Sequence, residues 1–483
     1  MPDAPGPLMT ALLILVVVMF FNLIIFVHEL GHFWAAKWRG LKIDRFQIWF
    51  GKPIWKKEIN GVQYGLGWIP AGGFVALPQM APMEAIEGGN REGEPLPPIS
   101  PLDKIIVAFA GPLFSFLLAF VSAVILWVSG KPVDIIHTTT VGWVEKGSPA
   151  EEAGFQRGDR ILAIGGHAVT SWNMPLDSII TEIVTSSGER IPFMIERPGV
   201  GRMEIVSSYE IQPTAWWQRR QTRSVGISPM SPEGDIVVSG FPDKDNLPAK
   251  LAGLKEGDVL VAIDGTPIVD YSQMIEMFQG SEGRELQVTV RRDGKEMQLG
   301  LRPVRPERTK PKPDDKPLDY MIGALFNTPT PFKEEWLHPN PGQQIVETLR
   351  QMWMTVTSVA DPHSSIGIQH LSGPVGIGKI QYFSLLMDHP MHRILNFMVL
   401  ININLALLNL LPFPVLDGGH ITIATMEAIA RRPVNVKFLE VLQLAFVFLL
   451  FGVMIYVTSK DVFDNFGMGD DNRREIVFPE PGS

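Results

Sequence analysis

The sequence predicts a polytopic α-helical membrane protein with four transmembrane helices, a membrane-associated β-loop and two extracytoplasmic α+β domains. Three observations carry this reading. Four apolar runs are each long enough to cross a hydrocarbon core of ~30 Å. A strand-rich segment with a sharp turn follows the first of them. Within the long polar segment, a stretch beginning at Ala153 repeats itself from Ala252 onward.

Composition supports a chain that is partly in lipid and partly in water. Of its 483 residues, 19% are charged and 46% hydrophobic, and the length accommodates several domains. A net charge of −9 excludes the broad basic surface that a nucleic-acid partner requires. Cysteine is absent, which excludes disulfide partners, a thiolate zinc site and a cysteine nucleophile.

The first apolar run, Leu8 to Val27, carries no charge and is interrupted only by Thr10 and Asn22. A cleaved signal peptide would have a basic start, a shorter apolar core and a small-residue cleavage site, none of which is present. The run closes on His28-Glu29-Leu30-Gly31-His32. Residues four apart share a helix face, so His28 and His32 present two imidazoles to one point. Glu29 lies one residue around from that face, within reach of a water held by the same metal. Ionisable groups at the membrane edge are costly to keep there, which marks the motif as functional.

The other spans are read at Ile105–Val128, Ile394–Leu411 and Val441–Val457. Basic residues set the orientation. None occurs in the first 36 residues, whereas Lys37, Arg39, Lys42, Arg45, Lys52, Lys56 and Lys57 follow closely, and Arg431, Arg432 and Lys437 lie between spans three and four. Both termini and the long 130–390 segment are therefore expected outside the cytoplasm, with the histidines toward the cytoplasmic side. The expected organisation assigns the first transmembrane helix to 1–40, a cytoplasmic membrane-associated β-loop to 41–77 and a flexible cytoplasmic linker to 78–101. The second helix follows at 102–130 and the third, with its Leu-Asp-Gly motif, at 391–420. A cytoplasmic loop and the fourth helix occupy 421–460, and a tail outside the cytoplasm occupies 461–483.

In the β-loop, Asn60-Gly61 is a hairpin turn signal between Trp55–Ile59 and Val62–Leu66. The glycine-rich run from Gly67 to Val75 is read as dipping toward the metal with one unpaired edge. Such an edge captures an extended peptide by strand addition. The linker is rich in proline and glycine.

In the internal repeat, the segment Ala153–Gly166 aligns with Ala252–Gly265, each copy running from a Gly-Asp turn into a short apolar strand. With Ser148-Pro149-Ala150 before one copy and Leu247-Pro248-Ala249 before the other, each copy resembles a PDZ domain. Two tandem PDZ domains are expected at 131–225 and 226–306, acting either as a steric filter over the membrane site or as peptide binders. Residues 307–390 are read as a connector followed by an amphipathic helix, with Ile345, Leu349, Met352, Trp353 and Val356 on one face.

A catalytic zinc usually takes three protein ligands and keeps an open position. The segment Asn409-Leu410-Leu411-Pro412-Phe413-Pro414-Val415-Leu416-Asp417-Gly418-Gly419-His420 lies at matching depth. A free carboxylate there is costly and metal coordination removes the cost, so Asp417 is favoured as third ligand over His420 and over a simple helix cap.

Taken together, these motifs resemble the bacterial site-2 proteases, and within them the regulator of sigma-E protease branch. That resemblance covers nearly the whole chain in order. It implies Zn2+ bound by His28, His32 and Asp417, with Glu29 as general base. It further implies substrate contacts at Asn404, Asn409, Gly72, Gly73 and Phe74, the last three through the β-loop. The family's Ala-Gly-Pro-x-x-Asn pattern appears as Ala110-Gly111-Pro112-Leu113-Phe114-Ser115, so no role passes to Ser115. The activity implied is zinc-dependent hydrolysis of peptide bonds inside the transmembrane segments of single-span proteins, anti-sigma factors or remnant signal peptides, in a bacterial inner membrane. Two rivals, a PDZ scaffold and a metal carrier, rank lower: a scaffold has no use for Glu29, and no ladder of intramembrane sites leads to the histidines.

Overall fold

The computed structural model describes residues 5–80, 99–214, 217–244, 246–309, 318–432, 434–471 and 476–479. The linker expected at 78–101 therefore lies mostly outside the described residues. Two compact units form. One gathers the residues up to Pro132 with Trp336–Met354 and Leu371–Asp461; the other gathers Val133–Glu335, Thr355–His370 and the described residues from Val462 onward.

In the first unit, helix α1 spans Pro7–Trp38 and helix α2 spans Pro101–Ser129. Among the described residues, these two, Pro390–Asn409 and Lys437–Phe463 are the four helices long and apolar enough to cross a membrane. Pro7 and Pro101 open their helices where the missing N–H costs nothing. Close packing relies on small residues, as helix association in lipid generally does. A Cβ on Gly31 would stand 2.3 Å from the Ala110 carbonyl oxygen, so α1 and α2 approach closely there. Further along α2, Ala119 and Ala123 are fully buried against Val399 and Ile403.

Between α1 and α2 lies a hairpin of β1 (Arg45–Ile59) and β2 (Val62–Ala76), turning at Asn60-Gly61 with both residues at positive φ. The hairpin curls back on itself. Arg45–Ile48 lies between Gln63–Leu66 on one side and Gly73–Ala76 on the other, because β1 reverses at Trp49 (φ 68°) and Gly51 (φ 89°). The Trp49 indole donates to the Asn22 side chain, which ties the hairpin to the polar interruption of α1. Phe33, Ala36, Phe46, Val75, Val107 and Ala110 close a core between hairpin and helices. Among the described residues no strand pairs with the outer edge of Gly73–Ala76.

The third span ends earlier than the sequence reading places it. The helix stops at Asn409, residues 410–416 are irregular, and a new helix runs Asp417–Ala430. Pro412 and Pro414 cannot continue a helix, so the Leu-Asp-Gly motif belongs to the next element rather than to a span reaching 420. That helix also fills much of the loop assigned to the start of 421–460. The fourth helix, Val436–Asp471, runs past 460 into the expected tail. A further helix, Pro374–Leu386, occupies part of the connector. The helix Pro341–Ala360 buries Gln344 and Thr348 while Leu349, Trp353 and Val356 of the expected apolar stripe are exposed; Ile345 packs inward and Met352 is half-buried.

The second unit carries the repeat as two small sheets. In the first, Arg160–Ile164 lies between His167–Ala168 and Ile191–Arg197, with Gly201–Ser207 beyond. In the second, Val259–Ile263 lies between Ile236–Gly240 and Leu286–Arg292. The boundaries differ from 131–225 and 226–306. Ile227–Pro229 pairs with Val141–Val144, and Leu325–Asn327 pairs with Ile236–Gly240, so each domain is completed by a strand beyond its expected end. The reason is topological: the repeated motif marks the middle of each domain, whereas the closing strand arrives from far along the chain. The loops before these strands correspond, since Ala150 N–H donates to the Val225 carbonyl and Ala249 N–H to that of Ile322, both at 2.9 Å.

Candidate metal centre

The site grows from α1. His28 and His32, one turn apart, turn their Nε2 atoms toward each other at 3.3 Å. Their other ring nitrogens are anchored on α2. Nδ1 of His32 donates to the Val107 carbonyl at 2.8 Å, and Nδ1 of His28 lies 2.9 Å from the Ser115 hydroxyl. The carbonyl acceptor places the His32 proton on Nδ1, and both contacts turn the Nε2 atoms toward the site, the orientation that metal-bound histidines generally show. α2 also makes the space: a Cβ on Gly111 would stand 2.2 Å from His32 Nε2 and 2.9 Å from His28 Nε2.

Asp417 completes the cluster. Its oxygens lie 3.3 Å from His28 Nε2 and 3.4 Å from His32 Nε2. Among the described residues, His28, His32 and Asp417 form the group able to hold a metal ion, with ligand atoms all within 4.8 Å of one another. Asp417 is the first residue of the Asp417–Ala430 helix, where free N–H groups favour an anion. The turn before it is tight: a Cβ on Gly418 would meet the Leu410 carbonyl oxygen at 2.2 Å, and one on Gly419 the Phe413 oxygen at 2.1 Å. Gln443 in the fourth helix donates to the Pro414 carbonyl at 3.1 Å and pins the turn from outside.

A cavity of 790 Å³ opens on the cluster, lined by His28, Glu29, His32, Gly72, Gly73, Phe74, Asn409, Asp417, His420 and others. Glu29 is held against the hairpin: the Val75 backbone hydrogen-bonds its carboxylate, and a Cβ on Gly73 would sit 3.5 Å from its Cγ. Phe74 stacks on Phe50 with ring centroids 6.3 Å apart. Asn409 Nδ2 lies 3.5 Å from His28 Nε2. His420 lines the cavity but stands outside the three-residue cluster, its buried Nε2 without a hydrogen-bond partner among the described residues.

Asn404 is not brought to this cavity. Five residues of helix are about 500° of rotation, which leaves Asn404 roughly 140° around from Asn409. Two contributors carry no signal in the sequence that names them. Ser115 departs from the family pattern at its position, and the Val107 carbonyl is backbone, which no side-chain motif marks.

Two histidines and a glutamate on a helix long and apolar enough to cross a membrane, met by a carboxylate from a neighbouring short helix, form the kind of site a membrane metalloprotease uses. The comparisons agree. The sequence profile of Peptidase family M50 matches residues 15–453, and the chain belongs to that family. The chain is 27% identical over 455 residues to the regulator of sigma E protease of Haemophilus influenzae, covering 90% of this chain and 95% of that one. It is 26% identical over 431 residues to the regulator of sigma-E protease RseP of Escherichia coli, covering 86% of this chain and 90% of that one. The protein is a zinc-dependent metalloprotease of the site-2 protease type.

Proposed function

We propose that the protein hydrolyses peptide bonds within the transmembrane segments of single-span membrane proteins, with zinc held by His28, His32 and Asp417 and with Glu29 as general base. The observation that carries this reading is the convergence of the three ligand atoms within 4.8 Å, two of them on a helix able to span a membrane. The donor set fits zinc, which takes imidazole and carboxylate ligands and in catalytic sites keeps a fourth position open. The glycine at 111 leaves the room that the ion and imidazoles need.

Bound zinc supplies Lewis acidity at neutral pH. The chain's own groups do the rest. Glu29 takes a proton from the water that attacks the scissile carbonyl carbon, and returns it to the amide nitrogen as the C–N bond breaks. The Val75 backbone holds the Glu29 carboxylate in place for both transfers. A substrate helix hides its carbonyls in hydrogen bonds, so it must unwind locally. The open edge of Gly73–Ala76 offers backbone partners to the unwound strand, with the Asn409 carboxamide beside it. Asn404 enters this proposal on its motif alone.

In this reading the protein sits in a bacterial inner membrane, its termini and the two repeated domains periplasmic and its active site toward the cytoplasm. The distribution of basic residues supports that orientation. The repeated domains are PDZ modules that screen substrates. The names of the relatives support an anti-sigma factor as substrate, in envelope stress signalling, with remnant signal peptides as a second class. The test is a purified chain assayed for bound zinc and for cleavage of a transmembrane reporter. Wild type cuts; Glu29→Gln keeps its zinc and loses about 10²-fold or more in rate. Equal rates in the two proteins would sink the mechanism.

A further inference from the structure

His420 lines the cavity over the metal cluster yet has no part in the chemistry assigned to Glu29 and the three ligands. The residue is 8% exposed, and its Nε2 has no hydrogen-bond partner among the described residues. A neutral imidazole carries one N–H and one bare nitrogen. Burying either without a partner costs free energy that leucine or phenylalanine at this position would not incur. The neighbouring rings differ, since His28 and His32 each hold Nδ1 against α2 and turn Nε2 to the cluster. The His420 ring is thus kept at a reaction site with bonding capacity left over.

Contacts at both ends of the Asp417–Ala430 helix fix where that ring stands. Toward its end, Glu427 accepts from the Lys104 ammonium of α2 at 2.8 Å. At its start, Asp417 meets the Nε2 atoms of His28 and His32, which a Cβ on Gly111 of α2 would touch. The two helices therefore run antiparallel. His420 precedes Glu427 by seven residues and Gly111 follows Lys104 by seven; each step is about two turns, or ~10 Å of axis. His420 shares a face with Glu427, and the fully buried Ala424 lies between them. His420 is thus level with Gly111 and one turn from Asp417. Its backbone is firmly seated, because Gly418 and Gly419 leave no room for a Cβ against the Leu410 and Phe413 carbonyls. Glu29 belongs to a different wall, held by the hairpin at Gly73 and Val75.

Building on the peptide hydrolysis proposed above, we propose that His420 is a further catalytic residue, whose ring N–H donates a hydrogen bond to the carbonyl oxygen of the scissile peptide. As water adds to the carbonyl carbon, a C–O bond forms and the π pair moves onto that oxygen. The hydrogen bond strengthens as the charge grows, and the proton stays on the ring. When the C–N bond breaks, the pair returns to remake the carbonyl and the nitrogen takes the proton held by Glu29. His420 and Glu29 therefore act on different atoms, one on the oxygen that gains charge and one on the protons that move. A donor already in place before the reaction stabilises that charge without reorganising, an effect of about 10²- to 10³-fold in kcat.

The test uses the purified full chain in detergent, a transmembrane reporter, and the variants His420→Ala, His420→Gln and Glu29→Gln. His420→Ala is expected to lose about 10²-fold in kcat with KM and zinc content unchanged. Glutamine restores an N–H at a similar reach, so His420→Gln is expected to cut about tenfold faster than the alanine variant. A phosphinic peptide analogue of the reporter is tetrahedral like the attacked carbon. Its affinity for His420→Ala is expected to fall by the factor lost in kcat/KM. Wild-type kcat in His420→Ala would overturn the proposal, as would a rise in KM at constant kcat. Zinc loss that accounts for the lost rate would overturn it too, and so would a glutamine variant no faster than alanine. If Glu29→Gln is inactive while His420→Ala cuts normally, only the role of His420 falls. If Glu29→Gln cuts as fast as wild type, the hydrolytic mechanism falls and His420 with it.

Discussion

The Ser115 hydroxyl lies 2.9 Å from Nδ1 of His28, so α2 orients a ring that α1 supplies. Both atoms are buried, and the bond fixes which nitrogen of His28 turns toward Asp417. Partners of this kind typically contribute 10- to 100-fold in metal affinity. Ser115→Ala is expected to weaken zinc binding by about tenfold or more while the fold loses only about 1 kcal/mol. Chelator competition on the purified protein reads the first quantity and thermal unfolding the second. Unchanged zinc affinity would mean that the hydroxyl does not position the ring.

Gly111 makes a sharper prediction. Alanine would put its Cβ 2.2 Å from His32 Nε2, closer than any real contact allows. α2 is packed on α1 through Gly31 and Ala110, so the backbone has little room to retreat. The imidazoles must give instead. Gly111→Ala is therefore expected to lose most of its zinc and its cleavage activity, with membrane insertion and yield retained. Metal analysis after purification checks it, and a full zinc complement would refute the packing argument.

These two residues mark where the sequence is legible and where it is not. The four spans are readable because uncharged runs of spanning length seldom form anything but membrane helices. The histidine pair is readable because helical periodicity is local: four residues are one turn whatever lies around them. Asp417 can be singled out chemically, but its element cannot be drawn correctly from hydropathy. Hydropathy ends the third span at Leu411, but the expected segment 391–420 still groups Asp417 with it, whereas Asp417 opens a new helix. Ser115 and Val107 are invisible because their role is a contact across two helices. The strands that close the repeated domains, Ile227–Pro229 and Leu325–Asn327, escape a sequence reading since each pairs with a partner remote in sequence.

The hairpin yields the next prediction. Phe74 pairs with Gln47 on β1 and stacks on Phe50, while Gly73 and Val75 on either side contact Glu29. Proline at 74 removes a backbone donor and disturbs the strand on the cavity side without touching a metal ligand. Phe74→Pro is expected to slow cleavage of a transmembrane reporter at least tenfold with zinc content unchanged. Parallel metal analysis and cleavage assays separate the two effects. Undiminished cleavage would exclude strand capture by this edge.

The last prediction concerns the Gly-Asp turn shared by both repeats. Asp159 accepts from Gln156 N–H at 2.8 Å and from two guanidinium nitrogens of Arg197 at 2.7 and 2.8 Å. Asp258 repeats the pattern, accepting from Lys255 N–H at 2.8 Å and twice from Arg292 at 2.6 Å. Each arginine also donates to the backbone, Arg197 to Gly154 and Arg292 to Gly253. One carboxylate thus ties a turn, a neighbouring strand and a helix end. Burial resists ionisation of Asp258, but the hydrogen bonds from Arg292 and Lys255 outweigh it and hold the carboxyl below its ordinary range. A depressed native value means stability that is fully present above the unfolded value of ~3.9 and lost as pH falls through the native value. Asp258→Ala removes the acceptor of two Arg292 hydrogen bonds and of the Lys255 N–H, at a cost of about 1.5 to 3 kcal/mol to the second domain at pH 7. The gap between wild type and variant is expected to narrow as pH drops below ~4, because wild type then loses the same charge. Hydrogen exchange of Val259–Ile263, corrected for intrinsic rates, measures that gap across pH, and a gap that widens on acidification would contradict the assignment.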